Sequence, residues 1–193
     1  VERPTGSLVM AQARAQAQGG LCCADVRGGA VADWVLAVGP KASVLLPAAQ
    51  ARREPSGFSL DATLTWDAAT VEAAATLAAR PPVREWQAFV HAALLAGALQ
   101  QVMDRTLQYA NDRVQFGKPI AKFQAVQHQL SVIAEHVFAA RMAARLAATG
   151  APGTTPPRLR VAVAKARTSE AAAEVAALAH SIHGAIGFTH EFD

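Results

Sequence analysis

The chain has 193 residues and a mass of 20.1 kDa, enough for one ordinary domain or for a large one with part of another. A formal net charge of +3 rests on scattered arginines, and no Lys/Arg run interleaves with aromatic residues, which argues against a nucleic-acid groove. Apolar residues make up 52% but aromatic ones only 6%, so Ala, Val and Leu dominate and helices are favoured; interruptions such as Gln100, Asp104 and Arg105 leave no window for a membrane span.

The N-terminal Val-Glu-Arg-Pro lacks the basic and apolar pattern of a secretory leader, and the adjacent Cys22 and Cys23 do not form a disulfide framework, so a reducing cytoplasm is expected. A start at Val and a stop at Asp193, just after a glycine turn, lead us to expect protein beyond one or both ends. The run from Val9 to Gln18 has no apolar stripe and is left unassigned. Residues 32–38, 42–46 and 62–66 are short apolar runs of strand length, punctuated by Gly28-Gly29, Gly39-Pro40, Pro47 and Pro55-Ser-Gly57. Residues 1–80 therefore read as a small β region.

From Pro81-Pro82 the character changes. The prolines pre-set a helix start, and Trp86, Phe89, Val90, Ala93, Leu94, Gly97, Met103 and Leu107 recur at helical steps to about Asn111. Gly117 and Pro119 break that helix. A second is expected over residues 123–149, with Val126, Leu130, Ile133, Val137 and Leu146 on one stripe, and a third over residues 158–181, where small alanines permit close approach. Three such helices joined by short loops imply antiparallel neighbours in a bundle over residues 81–193. The expected fold class is mainly α, a C-terminal bundle preceded by a short β region. A fourth helix would have to come from beyond Asp193 or from a partner.

Two segments carry chemistry. Residues 109–124 form a helix end, a glycine turn and a new helix start, projecting the guanidinium of Arg113, the amide of Gln115 and the ring of Phe116 at one corner of the bundle. Such a corner suits a phosphate and an aromatic base, since Arg forks onto phosphate oxygens. Read from the residues alone, the segment is also a common turn beside two core phenylalanines. Residues 180–191 end the third helix in Gly184-Ala-Ile-Gly187, where glycines let backbone approach a charged ligand, although Gly-x-x-Gly is also a routine helix stop.

The string Arg113-x-Gln-Phe-Gly-Lys-Pro-Ile-x-x-Phe-Gln124 resembles, without gaps, the interhelical signature of acyl-CoA dehydrogenases. The second segment is similar to that family's Gln-Ile-His-Gly-Gly-Ile-Gly-Phe-Thr element. The resemblance implies FAD as cofactor, an acyl-CoA thioester as substrate, and a homo-oligomer or a heteromer with a partner subunit. It further implies that Arg113, Gln115 and Phe116 reach the FAD of a neighbouring subunit, that Phe123 and Gln124 lie beside its ADP portion, and that Gly184, Ala185 and Gly187 meet its pyrophosphate side. Ser181 stands where the family has Gln and is too short for the same reach, and Ala185 stands where it has a second Gly. Residues 20–80 resemble the family's middle β domain in compressed form.

The oxidation such enzymes perform needs a carboxylate to take the α proton. The resemblance places that base either well past Asp193 or near the start of the first C-terminal helix, where this chain has Gln87, with Glu85 two residues off. No catalytic residue is assigned. Three readings stay open: an acyl-CoA dehydrogenase, a catalytically silent partner subunit of a heteromeric one, and a helical interaction module without flavin. A metal site at His180, His183, His190 and Glu191 is not favoured, because the first two span a helix end and no cysteine completes the shell.

Overall fold

The computed structural model describes residues 5–78, 81–150 and 154–188. The chain divides into two compact units, Val1–Val83 and Arg84–Asp193.

The first unit is built from two four-stranded sheets. One has the order β1-β4-β5-β8, comprising β1 (Leu8–Gln12), β4 (Trp34–Val38), β5 (Ser43–Pro47) and β8 (Ala75–Leu77). Here β1 runs parallel to β4, with Leu8 opposite Trp34, while β4 and β5 form an antiparallel hairpin closed by Gly39 N–H donating to Ala42 O at 2.9 Å. The other has the order β2-β3-β7-β6, from β2 (Arg14–Ala15), β3 (Leu21–Val26), β7 (Ala62–Trp66) and β6 (Arg52–Pro55), all antiparallel. Alternation explains β7: Ala62, Leu64 and Trp66 are buried, while Thr63 and Thr65 are half-exposed. The core joins Ala11, Cys23, Val35, Ala37, Leu46, Leu64 and Trp66, and Trp66 Nε1 donates to Pro47 O at 2.9 Å. Gly20 is required where β3 meets β7, since a Cβ there would lie 2.6 Å from Trp66 O. Helix α1 (Ala68–Ala73) is capped by Asp67, whose carboxylate accepts from Thr70 N–H at 2.8 Å.

The expected runs at residues 32–38, 42–46 and 62–66 correspond to β4, β5 and β7. Residues 9–18, which the pattern left unassigned, contain most of β1, all of β2 and the start of a 3-10 turn, Ala17–Gly19. Their pairing is carried by backbone, and only Ala11 of β1 is fully inward, so no alternation marks them in the sequence.

The second unit consists of three long helices, α2 (Val83–Asp112), α3 (Gln124–Ala148) and α4 (Arg158–His183). Between α2 and α3 lie the short ladder β9 (Val114–Gln115) and β10 (Lys118–Pro119) and a 3-10 turn, Ile120–Lys122. The bundle core takes Leu99 and Ala110 from α2, Ile133, Val137 and Ala140 from α3, and Ala171, Val175 and Ile182 from α4. Alanines at the contacts let the helices approach closely, as the composition foretold. A second layer joins Ala92, Ala143, Ala147, Val161 and Ala164.

Two expected stripes are corrected. On α2 the buried face is Ala92, Ala96, Leu99, Thr106 and Ala110, whereas Val90, Leu94 and Leu107 are exposed. The inward face of α2 mixes alanines with Leu99, and Met103 and Tyr109 pack against the same core, so position on the helix rather than side-chain size decides what is buried. On α3, Leu146 is 51% exposed and continues an outward stripe with Phe138 and Met142. The pattern over-weighted side-chain size.

Candidate functional site

The two motif-bearing segments meet at one end of the bundle. Helix α2 ends at Asp112, and antiparallel α3 begins, after a tight hairpin, at Gln124. In that hairpin Phe116 and Gly117 both take positive φ, 52° and 79°, the backbone of a two-residue turn whose twist matches the flanking strands. Glycine adopts this conformation without cost, whereas phenylalanine does not, at about 1–2 kcal/mol. The strained residue is also 93% exposed, so packing does not explain its presence.

Around it the corner is built from backbone and aromatic contacts. Ile120 N–H donates to Arg113 O at 2.8 Å and Arg113 N–H to Tyr109 O at 2.9 Å, which fixes where the hairpin leaves α2. Phe116 meets Phe123 edge to face at 6.2 Å, and Lys118 Nζ sits 4.3 Å over the Phe123 ring. Arg113 and Gln124 are exposed, and Arg113 makes no ion pair among the described residues. The basic groups Arg113, Lys118 and Lys122 outnumber the lone acid of the stretch, Asp112, and the first turn of α3 carries no acid and no side-chain cap. Its free N–H groups and its dipole add positive potential.

Helix α4 reaches the same end. Tyr109 stacks on His183 with ring centroids 4.5 Å apart and planes at 28°, and its hydroxyl donates to His183 O at 3.4 Å. His183 Nδ1 in turn lies 2.8 Å from Ala179 O, a carbonyl that can only accept, so Nδ1 carries the proton. Gly184, with φ 64°, caps α4 through an N–H donated to His180 O, and residues Gly184–Phe188 continue as a 3-10 turn. Gly187 tucks against the helix end, where a Cβ would meet that of His183 at 3.1 Å. Ser181, the departure from the family pattern, accepts a hydrogen bond from Gln129 Nε2 at 3.0 Å.

Arg113, Gln115, Phe116, Phe123 and Gln124 thus share one hairpin and the helix start behind it, and Gly184, Ala185 and Gly187 follow the helix that Tyr109 clamps to it. Sequence reasoning missed Tyr109 as the clamp and Gln129 as the partner of Ser181. The first stood at the head of the motif; for the second the only signal was the short Ser181 itself. Thr189, His190 and Glu191 lie outside the described residues. Beside the corner, Val102, Thr106, Ala179 and Gly187 help line a cavity of about 210 Å³, and the Thr106 hydroxyl is buried without a hydrogen-bond partner among the described residues.

Glu85 and Gln87 sit at the opposite end of α2. The 28 residues from Glu85 to Arg113 span about 40 Å at 1.5 Å per residue. Glu85 pairs with Arg158 at 3.8 Å, which turns it toward the start of α4.

Three antiparallel helices, a strained aromatic hairpin at one end and a glycine turn after the last helix define a C-terminal domain of the acyl-CoA dehydrogenase type. The family described as acyl-CoA dehydrogenase, C-terminal domain, matches residues 85–193, and the chain belongs to the acyl-CoA dehydrogenase family. A relative in Mycolicibacterium smegmatis, acyl-CoA dehydrogenase IpdE2, is 38% identical over 106 residues, covering 55% of this chain and 32% of the relative. Among solved structures, the ChsE4-ChsE5 complex from Mycobacterium tuberculosis matches 94% of this chain and 57% of the solved one, with 26% identity and a TM-score of 0.75. Butyryl-CoA dehydrogenase from Megasphaera elsdenii shares the fold over 96% of this chain and 56% of its own, with 22% identity and a TM-score of 0.73. The chain therefore spans about a third of the curated relative and little more than half of the solved chains.

Proposed function

We propose that this chain is part of an FAD-dependent acyl-CoA dehydrogenase and that its hairpin corner holds the dinucleotide of a neighbouring subunit. The observation that carries this reading is the Tyr109–His183 clamp, which gathers both motif segments at one positively charged, solvent-facing end. The residues fit the group. An exposed Arg113 and the open N-terminus of α3 suit a diphosphate, and the exposed Phe116 ring, backed by Phe123 and Lys118, suits an adenine face. Gln115 and Gln124 add amides at the rim, and the Gly184–Phe188 turn brings backbone near the same end.

Bound there, flavin supplies the acceptor for the hydride that leaves an acyl-CoA β carbon. The chain's own residues position and neutralise: Arg113 offsets phosphate charge, while the aromatic pair excludes water from one face of the ring it meets. The large separation between Glu85 and Arg113 means one site cannot use both ends of α2, which supports a cofactor shared between subunits and hence an oligomer. Free Cys22 and Cys23 support a reducing, cytoplasmic setting. Among the described residues no helix is long and apolar enough to cross a membrane.

The second reading, a silent partner subunit in a heteromer, is favoured by Gln87 where a helix-borne base would stand, and by Ser181 and Ala185. A solved neighbour is itself described as a complex of two named chains. Measuring FAD retention in the purified protein and in Arg113→Ala tests the main reading: the variant is expected to lose flavin about tenfold more readily, the worth of a charge-assisted hydrogen bond. Equal occupancy removes Arg113 from the site. Dye-linked dehydrogenation over a series of acyl-CoA lengths separates enzyme from silent partner, since lack of a base costs about 10²- to 10⁴-fold in rate.

A further inference from the structure

Gln129 lies within the first two turns of α3, about 7 Å along the axis from its start at 1.5 Å per residue, and Ser181 lies three residues before Gly184 on α4. Their side chains meet across the two helices, Gln129 Nε2 donating to Ser181 Oγ at 3.0 Å. A carboxamide has two N–H donors, and this bond uses one. A hydroxyl that accepts still has its own proton to give. The pair therefore presents two donors at the same end of the bundle as Arg113, from a half-buried Gln129 and an exposed Ser181.

We propose that Gln129 and Ser181 act as one donor pair for the anionic, acceptor-rich diphosphate of the dinucleotide, with Ser181 as the positioning residue that aims the Gln129 carboxamide. The proposal rests on the flavin reading above. It accounts for the short side chain at residue 181: the amide missing there is supplied from α3 and held by the hydroxyl. A bond this close to solvent contributes little to folding on its own, so a merely structural role predicts no loss of cofactor when it is removed.

The test measures FAD affinity by flavin fluorescence in the purified protein with its associated subunits, for wild type, Arg113→Ala, Gln129→Ala, Gln129→Glu, and Gln129→Ala combined with Ser181→Gln. Gln129→Ala is expected to weaken FAD about tenfold without lowering the Tm, and Gln129→Glu at least as much, through repulsion of phosphate. Ser181→Gln in the Gln129→Ala background is expected to recover most of the loss, because it returns an amide to the same place. Retained affinity in Gln129→Ala, with loss in Arg113→Ala, overturns the pair and leaves the flavin reading standing. Loss in Gln129→Ala that Ser181→Gln does not recover assigns Gln129 to helix packing and likewise overturns the proposal. Wild-type protein that retains no FAD overturns both.

Discussion

Replacing Tyr109 by alanine removes the ring that ties the end of α2 to the end of α4. The stack on His183, with centroids 4.5 Å apart, is worth about 0.5–1.5 kcal/mol beyond area burial. Truncating a fully buried aromatic costs about 3–5 kcal/mol, and the half-buried Tyr109 is expected to lose about half of that. A total of about 2–4 kcal/mol follows for Tyr109→Ala. The bond from the hydroxyl to His183 O is long at 3.4 Å, and Tyr109→Phe, which removes it and keeps the ring, is expected to cost less than about 1 kcal/mol. Urea unfolding followed by far-UV circular dichroism checks both values. With a slope of about 2 kcal/mol/M, the alanine variant is expected to shift the midpoint by about 1–2 M. Flavin affinity is expected to fall in Tyr109→Ala and to hold in Tyr109→Phe. An alanine variant within about 0.5 kcal/mol of wild type, with unchanged flavin, refutes the clamp.

Other perturbations test separate parts of the structure. Phe116→Asn puts a residue that tolerates positive φ where phenylalanine is strained, and is expected to stabilise the fold by up to about 1 kcal/mol while weakening FAD, read by thermal melts and flavin fluorescence. Gly117→Ala, where space is open but φ is 79°, is expected to cost about 1 kcal/mol in the same melts. Thr106→Val removes a buried hydroxyl that has no partner among the described residues and is expected to stabilise by about 1 kcal/mol, whereas Thr168→Val, which breaks a 2.9 Å bond to Ala164 O, is expected to cost about as much. Asp33 is held below the usual carboxylate value by donors from Ser7, so its contribution is present above that value and lost as pH falls through the lower folded one; Asp33→Asn is expected to flatten acid unfolding there. Burial pushes the Cys23 thiol up to about 12, so that thiol is expected to resist alkylation at pH 8 in the folded protein.

The helices were legible because their signals were redundant. Prolines at residues 81 and 82, the break at Gly117, and apolar steps at Ile133 and Val137 each pointed the same way. Inward and outward faces were less legible. Ala96 and Ala110 are buried while Leu94 is exposed, since the face of α2 that meets the other helices is chosen by tertiary packing, which residue size alone does not encode. In the first unit, β7 announced itself by alternation, but β1 and β2 are held by backbone pairing to distant strands. At the corner, the motif named Arg113, Phe116 and Phe123, yet only the folded chain joins Tyr109 to His183 and Gln129 to Ser181. Those partners are separated by 74 and 52 residues, and no local pattern couples them.

The length of α2 has a genetic consequence. At 30 residues it is about 45 Å long and carries the Arg113 corner at one end and Glu85 and Gln87 at the other. If the dinucleotide at the corner belongs to a neighbour, a subunit damaged at Arg113 spoils the neighbour's centre and leaves its own intact. Two defective alleles, one altered at the corner and one altered where the subunit hosts its own cofactor, then complement each other: a mixed assembly contains one centre in which both contributions are sound, and co-expression restores a fraction of function that neither allele has alone.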